Sequence, residues 1–371
     1  MSDYREVTPV PGPAAFRARG RDARMSQAAI VLSAGAAVGG RWEQLDAPEA
    51  IGLPPELGRI ERSGGVSLED ALAPLEVDVA SHVSAGRRTF PPATSAQLTE
   101  SLVERPHPVT AATLVEVNLH SDSPLVRTSA AVAALDTAGG AQRTDVVARL
   151  VEGADASDDL TRQIARIGLA RVDPEHDKLA HLVGRAARLT GTDRPSHTAV
   201  VTHGTFAART RWWRPGGDYY TYLDGLAPPL NLHDPSFQWS GLYSDPARQL
   251  AAQQLTAWLV DQGLQLPDFF AHSHGGTVAN LATRAGAEFQ RLVLLSWPVH
   301  TQWFPDFIQV TRIIDVRVRL DLVIMADRGG QTFTPPTAFR GKVTSHVNGW
   351  FDHGVTHDPA YWQQHGLAAA L

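Results

Sequence analysis

Cysteine is missing from the whole chain of 371 residues. That removes thiol nucleophiles, thiolate metal sites and disulfide frameworks in one step. It leaves the redox compartment open, because a chain without thiols is indifferent to it. Basic runs are missing as well. The net charge is −6 and no long cluster of Lys or Arg occurs, which argues against nucleic acid or an anionic membrane as the main partner. Charged residues make up only 19% of the chain against 43% hydrophobic ones, the composition of a folded rather than a disordered protein. The length suffices for two or three domains with a buried core.

Long apolar runs are scarce. The small, apolar stretch Ala28 to Gly40 (AAIVLSAGAAVGG) follows Arg17, Arg19, Arg21 and Arg24. A secretory signal has this general order, but carries its apolar part nearer the start and richer in Leu. The stretch is also shorter than the about 20 residues of a bilayer span. The preferred reading is a buried strand or helix with a Gly-rich turn. A cytoplasmic protein with no stable membrane insertion is therefore expected, with secretion as the alternative.

What is present divides into three regions. Residues 1–90 are rich in Pro and Gly, with loops at 9–13 (PVPGP) and 90–92 (FPP), and have no assignable fold. Residues 91–190 repeat Ala, Leu and Val at three- and four-residue steps, as short helices do. Leu125, Arg127, Ala130 and Val132 recur as Leu160, Arg162, Ala165 and Ile167, 35 residues later. That period resembles HEAT-type helical repeats, which stack and present a surface suited to a protein partner. An ordinary helical bundle is the other reading. Residues 191–197 (GTDRPSH) form a linker that opens the third region, 191–371.

In that region short apolar runs alternate with helical stretches: TAVVTH, FQWSG, FFAHS, RLVLLSWP, VRVRLD and KVTSHVNG are the expected strands. Alternation of this kind predicts an α/β fold, about six mostly parallel strands with helices on both faces. The helix after FQWSG is capped by Ser244, carries Pro246 in its first turn, and is expected to bury Leu250, Leu255, Trp258 and Leu259.

Two segments carry the chemistry. In DFFAHSHGGTVANLATRAG an apolar strand runs straight into Ser273, Gly275 and Gly276, and then into a helix. A nucleophilic Ser needs small neighbours, because it sits on a tight, strained turn above the sheet. Gly275 supplies one, and Ala271 stands where the usual Gly-x-Ser-x-Gly pattern has its first Gly. The following helix points its positive end at the place where an oxyanion forms. The second segment, TAVVTHGTF, ends a strand in His203-Gly204.

With THGTF followed by WWRPGGDYYTYL, and the Ser turn about 70 residues after this strand, residues 198–371 resemble the α/β-hydrolase superfamily, in particular bacterial esterase- and lipase-like serine hydrolases. The resemblance implies a serine hydrolase with Ser273 as nucleophile, no cofactor, and a small ester as substrate. It makes His203-Gly204 the start of an oxyanion loop, with His203 structural. The backbone N–H of Thr205 or Phe206 would pair with that of His274. It puts the acid after the next-but-one strand beyond the Ser. There Asp321 is preferred, and Asp327 competes if the strand continues through LVIM. It puts the base after the last strand, where His353 is preferred to His357. Amide hydrolysis and acyl transfer use the same machinery.

Other readings compete. His272 and His274 flank the Ser, and His353 and His357 lie four apart beside Asp352 and Asp358, a spacing that would suit a metal if it were helical. Gly354 and Pro359 oppose a helix, so no metal is expected. A non-catalytic module that binds a protein through the helical region is the second alternative. Finally, Trp212, Trp213, Trp297 and Trp303 fall on expected loops near the site and would line a pocket favouring an apolar acyl group.

Overall fold

The structure, a computed structural model, describes residues 4–60, 92–137, 139–184 and 198–371. The expected linker at 191–197 and most of the loop at 90–92 lie outside them.

The first half is helical. Its elements are α1 (Gly12–Arg17), α2 (Arg21–Val38), α3 (Pro92–Glu104), α4 (Pro108–Asn118), α5 (Pro124–Ala134), α6 (Thr144–Ala154), α7 (Asp159–Val172) and α8 (Asp177–Ala180). The stretch Ala28 to Gly40 is the C-terminal part of α2 and the turn after it, so its helical reading holds. Nearly every residue of α2 from Ala28 to Ala37 is buried, as befits a helix apolar all round. It packs so closely on α5 that a Cβ at Gly35 would stand 2.7 Å from that of Ala133.

The 35-residue repeat has a structural counterpart. The caps of α5 and α7 are Ser123 and Asp158, which accept from the N–H groups of Val126 and Thr161. Arg127 and Arg162 each reach back to a carbonyl six residues earlier, those of Ser121 and Ala156. Equivalent residues therefore close equivalent turns.

The second half contains β1 (Ala199–Thr202), α9 (Asp218–Asp224), α10 (Asp245–Asp261), β2 (Asp268–His272), α11 (His274–Arg284), β3 (Phe289–Leu295), β4 (Val310–Arg319), α12 (Leu322–Asp327), β5 (Val343–Trp350) and α13 (Pro359–Gln364). The five strands form one sheet in the order β1-β2-β3-β4-β5, with every pair parallel. A parallel sheet must be covered on both faces, and strand periodicity provides for it. Phe269, Ala271, Leu292 and Leu294 face a cluster that includes Leu255, Trp258 and Leu259 of α10 and Val278 of α11. Their neighbours Phe270, Val293 and Leu295 face Tyr219 and Leu223 of α9 and Tyr361 and Trp362 of α13. The α/β class is as expected.

Three details differ. FQWSG, 237–241, is not a strand, so the sheet has five strands among the described residues. Phe237 and Trp239 are buried there without ladder partners. Leu250 points to solvent with 55% exposure, because five residues separate it from Leu255, which puts it on the other side of α10. LVIM belongs to helix α12, not to a strand, because β4 ends at Arg319 and Asp321 caps a new helix.

The two halves share a core. Phe206, Leu320, Leu322, Val323, Met325 and Phe351, all beyond the C-terminal ends of the strands, cluster with residues of α2, α5 and α7. Arg171 of α7 ties the halves further, with one bond to the carbonyl of Ala326 and another to Asp136. The helical block thus sits over the C-terminal edge of the sheet, where ligands of open α/β folds bind.

A candidate active site at the C-terminal edge of the sheet

Four strands end in residues with left-handed backbone. Ser273 follows β2 at φ +52°, Ser296 follows β3 at +44°, Leu320 follows β4 at +47°, and Phe351 follows β5 at +68°. Each turns the chain sharply above the sheet. A non-glycine residue so placed costs on the order of 1–3 kcal/mol, so the surrounding packing must enforce it. At Ser273, ψ is −132° and the side chain does not cap α11, although Ser273 is its N-cap residue.

The neighbours explain why small residues stand here. A Cβ at Gly204 would lie 2.7 Å from Ser273 Cβ and 3.0 Å from the carbonyl oxygen of His272. A Cβ at Gly275 would lie 2.5 Å from the carbonyl oxygen of His203. The loop after β1 and the start of α11 therefore touch through their backbones. Ala271 is fully buried in the middle of the sheet, paired with Thr202 and Leu294, and its methyl is accommodated there.

His203 is buried and stacks on Trp239 at 5.6 Å, and its Nδ1–H donates to the carbonyl of Gly204. Burial pushes its pKa down to about 4, so it is a neutral packing residue. Of the two expected oxyanion donors on this loop, Phe206 is engaged: its N–H donates to the carbonyl of Gly241 at 2.9 Å. Phe206 is thereby removed from that role, and Thr205 is left. The N–H of His274 lies in the first turn of α11, where helices leave donors without internal partners.

Asp321 and His353 meet directly. Oδ1 of Asp321 accepts from the N–H groups of Val323 and Ile324 at 3.0 and 3.1 Å, which caps α12. Oδ2 accepts from Nδ1 of His353 at 2.8 Å. Gln331 holds the backbone of Asp321 from both sides. Asp321 is completely buried, and His353 is nearly so. An imidazole bound through Nδ1 has Nε2 left to exchange a proton.

The two alternatives make other contacts. Asp327 accepts from Nε2 of His274 at 2.8 Å and Nε2 of His300 at 2.9 Å. Burial works to raise its pKa, but the two imidazoles hold it well below the usual carboxylate range. His357 stacks flat on Trp212, with ring centres 4.0 Å apart.

Ser273 and His353 line one pocket of about 130 Å³, together with Thr205, Trp212, His272 and His357. Thr205 Oγ1 and His272 Nδ1 are buried there without a hydrogen-bond partner. Only one of the four expected pocket tryptophans reaches it. Trp213 is buried and donates its indole N–H to Ala207, and Trp297 is buried and donates to Thr277. Trp303 lies beside His274 and His300. Of the expected tryptophans only Trp212 therefore lines the pocket, beside Phe206, Ile167 and Val323.

His353 to His357 is a single 3-10 turn, not an α-helix. Among the described residues no group of three or more His, Asp or Glu is placed to hold a metal ion. Asp159, Gln163, Arg166 and Ile167 of α7 also line the pocket. These share one helix face, but nothing in their spacing says that the face looks onto Ser273. No protein-family model, curated protein or solved structure matches the chain. Among the described residues no helix is long and apolar enough to cross a membrane.

Proposed function

We propose that this chain is a serine hydrolase of α/β-hydrolase type that cleaves a carboxylic ester through an acyl-enzyme. One observation carries the reading: Ser273, on a left-handed turn between strand and helix, shares a pocket with a histidine whose Nδ1 is bound to a buried carboxylate. Nucleophile, acid and base then follow in the chain order Ser273, Asp321, His353, each after a different strand.

The steps follow from the groups. Ser273 Oγ attacks the ester carbonyl while Nε2 of His353 takes its proton. Asp321 holds the imidazole in the tautomer that can accept this proton and stabilises the cation that results. Negative charge develops on the former carbonyl oxygen, and in this reading the N–H groups of Thr205 and His274 receive it. The tetrahedral species expels the alkoxide, which takes the proton back from His353. Water repeats the sequence on the acyl-enzyme and restores Ser273. An amide, or an acyl acceptor other than water, would pass through the same steps.

The helical half belongs to this reading as a cap. Its two related helix pairs, α4–α5 and α6–α7, suit a short HEAT-like stack whose last helix closes the pocket. The test is labelling with a fluorophosphonate probe. The intact protein should label and Ser273→Ala should not. An unlabelled intact protein, or equal labelling of the two, removes Ser273 as nucleophile.

A further inference from the structure

The pocket lined by Ser273 also holds a cation that has no counter-ion among the described residues. Arg166 lines the pocket from α7 and is partly buried. Among the described residues it makes no ion pair and no hydrogen bond through its guanidinium. Its carboxylate neighbour on the same face is already engaged: Asp159 accepts from Arg162 at 2.8 Å and from Gln163 at 2.5 Å. The next nearest carboxylate that acts on it, Asp155, is exposed and bound to Lys178.

A partly buried guanidinium that lines a pocket is free to take an anion, and its planar fork matches a carboxylate. We infer that Arg166 binds a carboxylate on the acyl part of the substrate, so that the preferred substrates are esters of short dicarboxylic acids. This rests on the hydrolase reading of the same pocket. The acyl part is the one that stays bonded to Ser273 through the intermediate, so it occupies the space between Ser273 and α7. A volume of about 130 Å³ holds only a short chain. Pockets for drug-sized ligands begin at roughly 300 Å³.

Two further features bear on the site. Burial lowers the pKa of Arg166 and Arg162 adds to the effect, while Asp159 and Asp155 oppose it. Next to it Ile167 and, across the pocket, Val323 offer apolar contact for the methylenes between the ester and the carboxylate. The helical block thereby contributes the residue that selects the substrate.

The experiment compares monoethyl succinate with ethyl succinamate, which differ only in a terminal carboxylate or amide. The ratio of their kcat/KM values is measured for the intact protein, Arg166→Gln and Arg166→Lys. The inference expects the anionic ester to be favoured at least tenfold by the intact protein. Arg166→Gln should lower that ratio tenfold or more, with Arg166→Lys between the two. A ratio near one in the intact protein, or an equal ratio in Arg166→Gln, overturns it. Calorimetry with succinate on Ser273→Ala, with and without Arg166→Gln, gives a readout apart from catalysis. If neither ester is cleaved, the hydrolase reading fails and this binding decides alone. Binding at least tenfold weaker without Arg166 sustains the carboxylate site, and equal binding overturns it.

Discussion

At the scale of single residues, the choice between Asp321 and Asp327 is made by six residues of helix. Both border the LVIM segment, one before α12 and one at its end. The N-cap role of Asp321 occupies one oxygen and aims the other at His353, while Asp327 comes out a turn and a half away between His274 and His300. Asp321→Asn keeps shape and volume but loses the carboxylate that sets the tautomer. It should lower kcat on a simple ester by roughly 10³–10⁴-fold while the protein stays folded. Asp327→Asn touches no group that moves a proton in the proposed mechanism. It should cost about 1–3 kcal/mol of stability and no more than about tenfold in rate, because one buried imidazole loses its acceptor. Ester kinetics with a thermal melt of each variant checks both. Equal rate losses would reverse the assignment.

At the scale of elements, the site depends on backbones that approach one another more closely than side chains allow. The loop after β1 lies against the Ser273 turn at Gly204, and α11 lies against the same loop at Gly275. Gly204→Ala would force the loop away from Ser273, because its Cβ meets atoms of the strained turn rather than the end of a flexible chain. Overpacking of this kind costs about 1–3 kcal/mol. A displacement near 1 Å of an oxyanion donor costs about 10²-fold in rate. Both effects are expected for Gly204→Ala. Gly341→Ala is the control, since its Cβ would meet nothing within 4 Å. Thermal melts and ester kinetics on the pair test this, and a Gly204→Ala protein of normal rate would separate the loop from catalysis.

At the scale of the whole molecule, the two halves form one structure whose joint core lies at the C-terminal edge of the sheet. Buried imidazoles at this edge couple its stability to pH. Burial holds His203 and His274 neutral, with pKa values pushed down to about 4 from an ordinary 6.5. The unfolded chain takes up these protons near pH 6.5 and the folded chain only near pH 4. Stability contributed by the two groups is therefore complete above about pH 6.5 and declines as pH falls toward 4. At pH 5 the loss is roughly 2 kcal/mol for each imidazole. Denaturant melts at pH 7.5 and pH 5 should differ by several kcal/mol, and His203→Asn should reduce that difference. A pH-independent midpoint would show that these imidazoles are not held neutral.

By itself the sequence determined the class of fold and the strand–turn–helix at Ser273. Those features are local or periodic. Strand alternation, small residues around one Ser, and a cap before a helix act on neighbours within a few positions. It misjudged FQWSG as a strand because burial without a ladder partner leaves the same apolar pattern. It misjudged Trp213 and Trp297 because nothing in a loop sequence says which rings turn inward. Tertiary structure alone decided that Asp321 rather than Asp327 meets His353, that Phe206 spends its N–H on Gly241, and that Arg166 lines the same pocket as Ser273. Each of these joins residues from tens to more than a hundred positions apart, through contacts of a few ångströms. Such contacts are set by how helices and sheet pack on one another, which no short stretch of chain encodes.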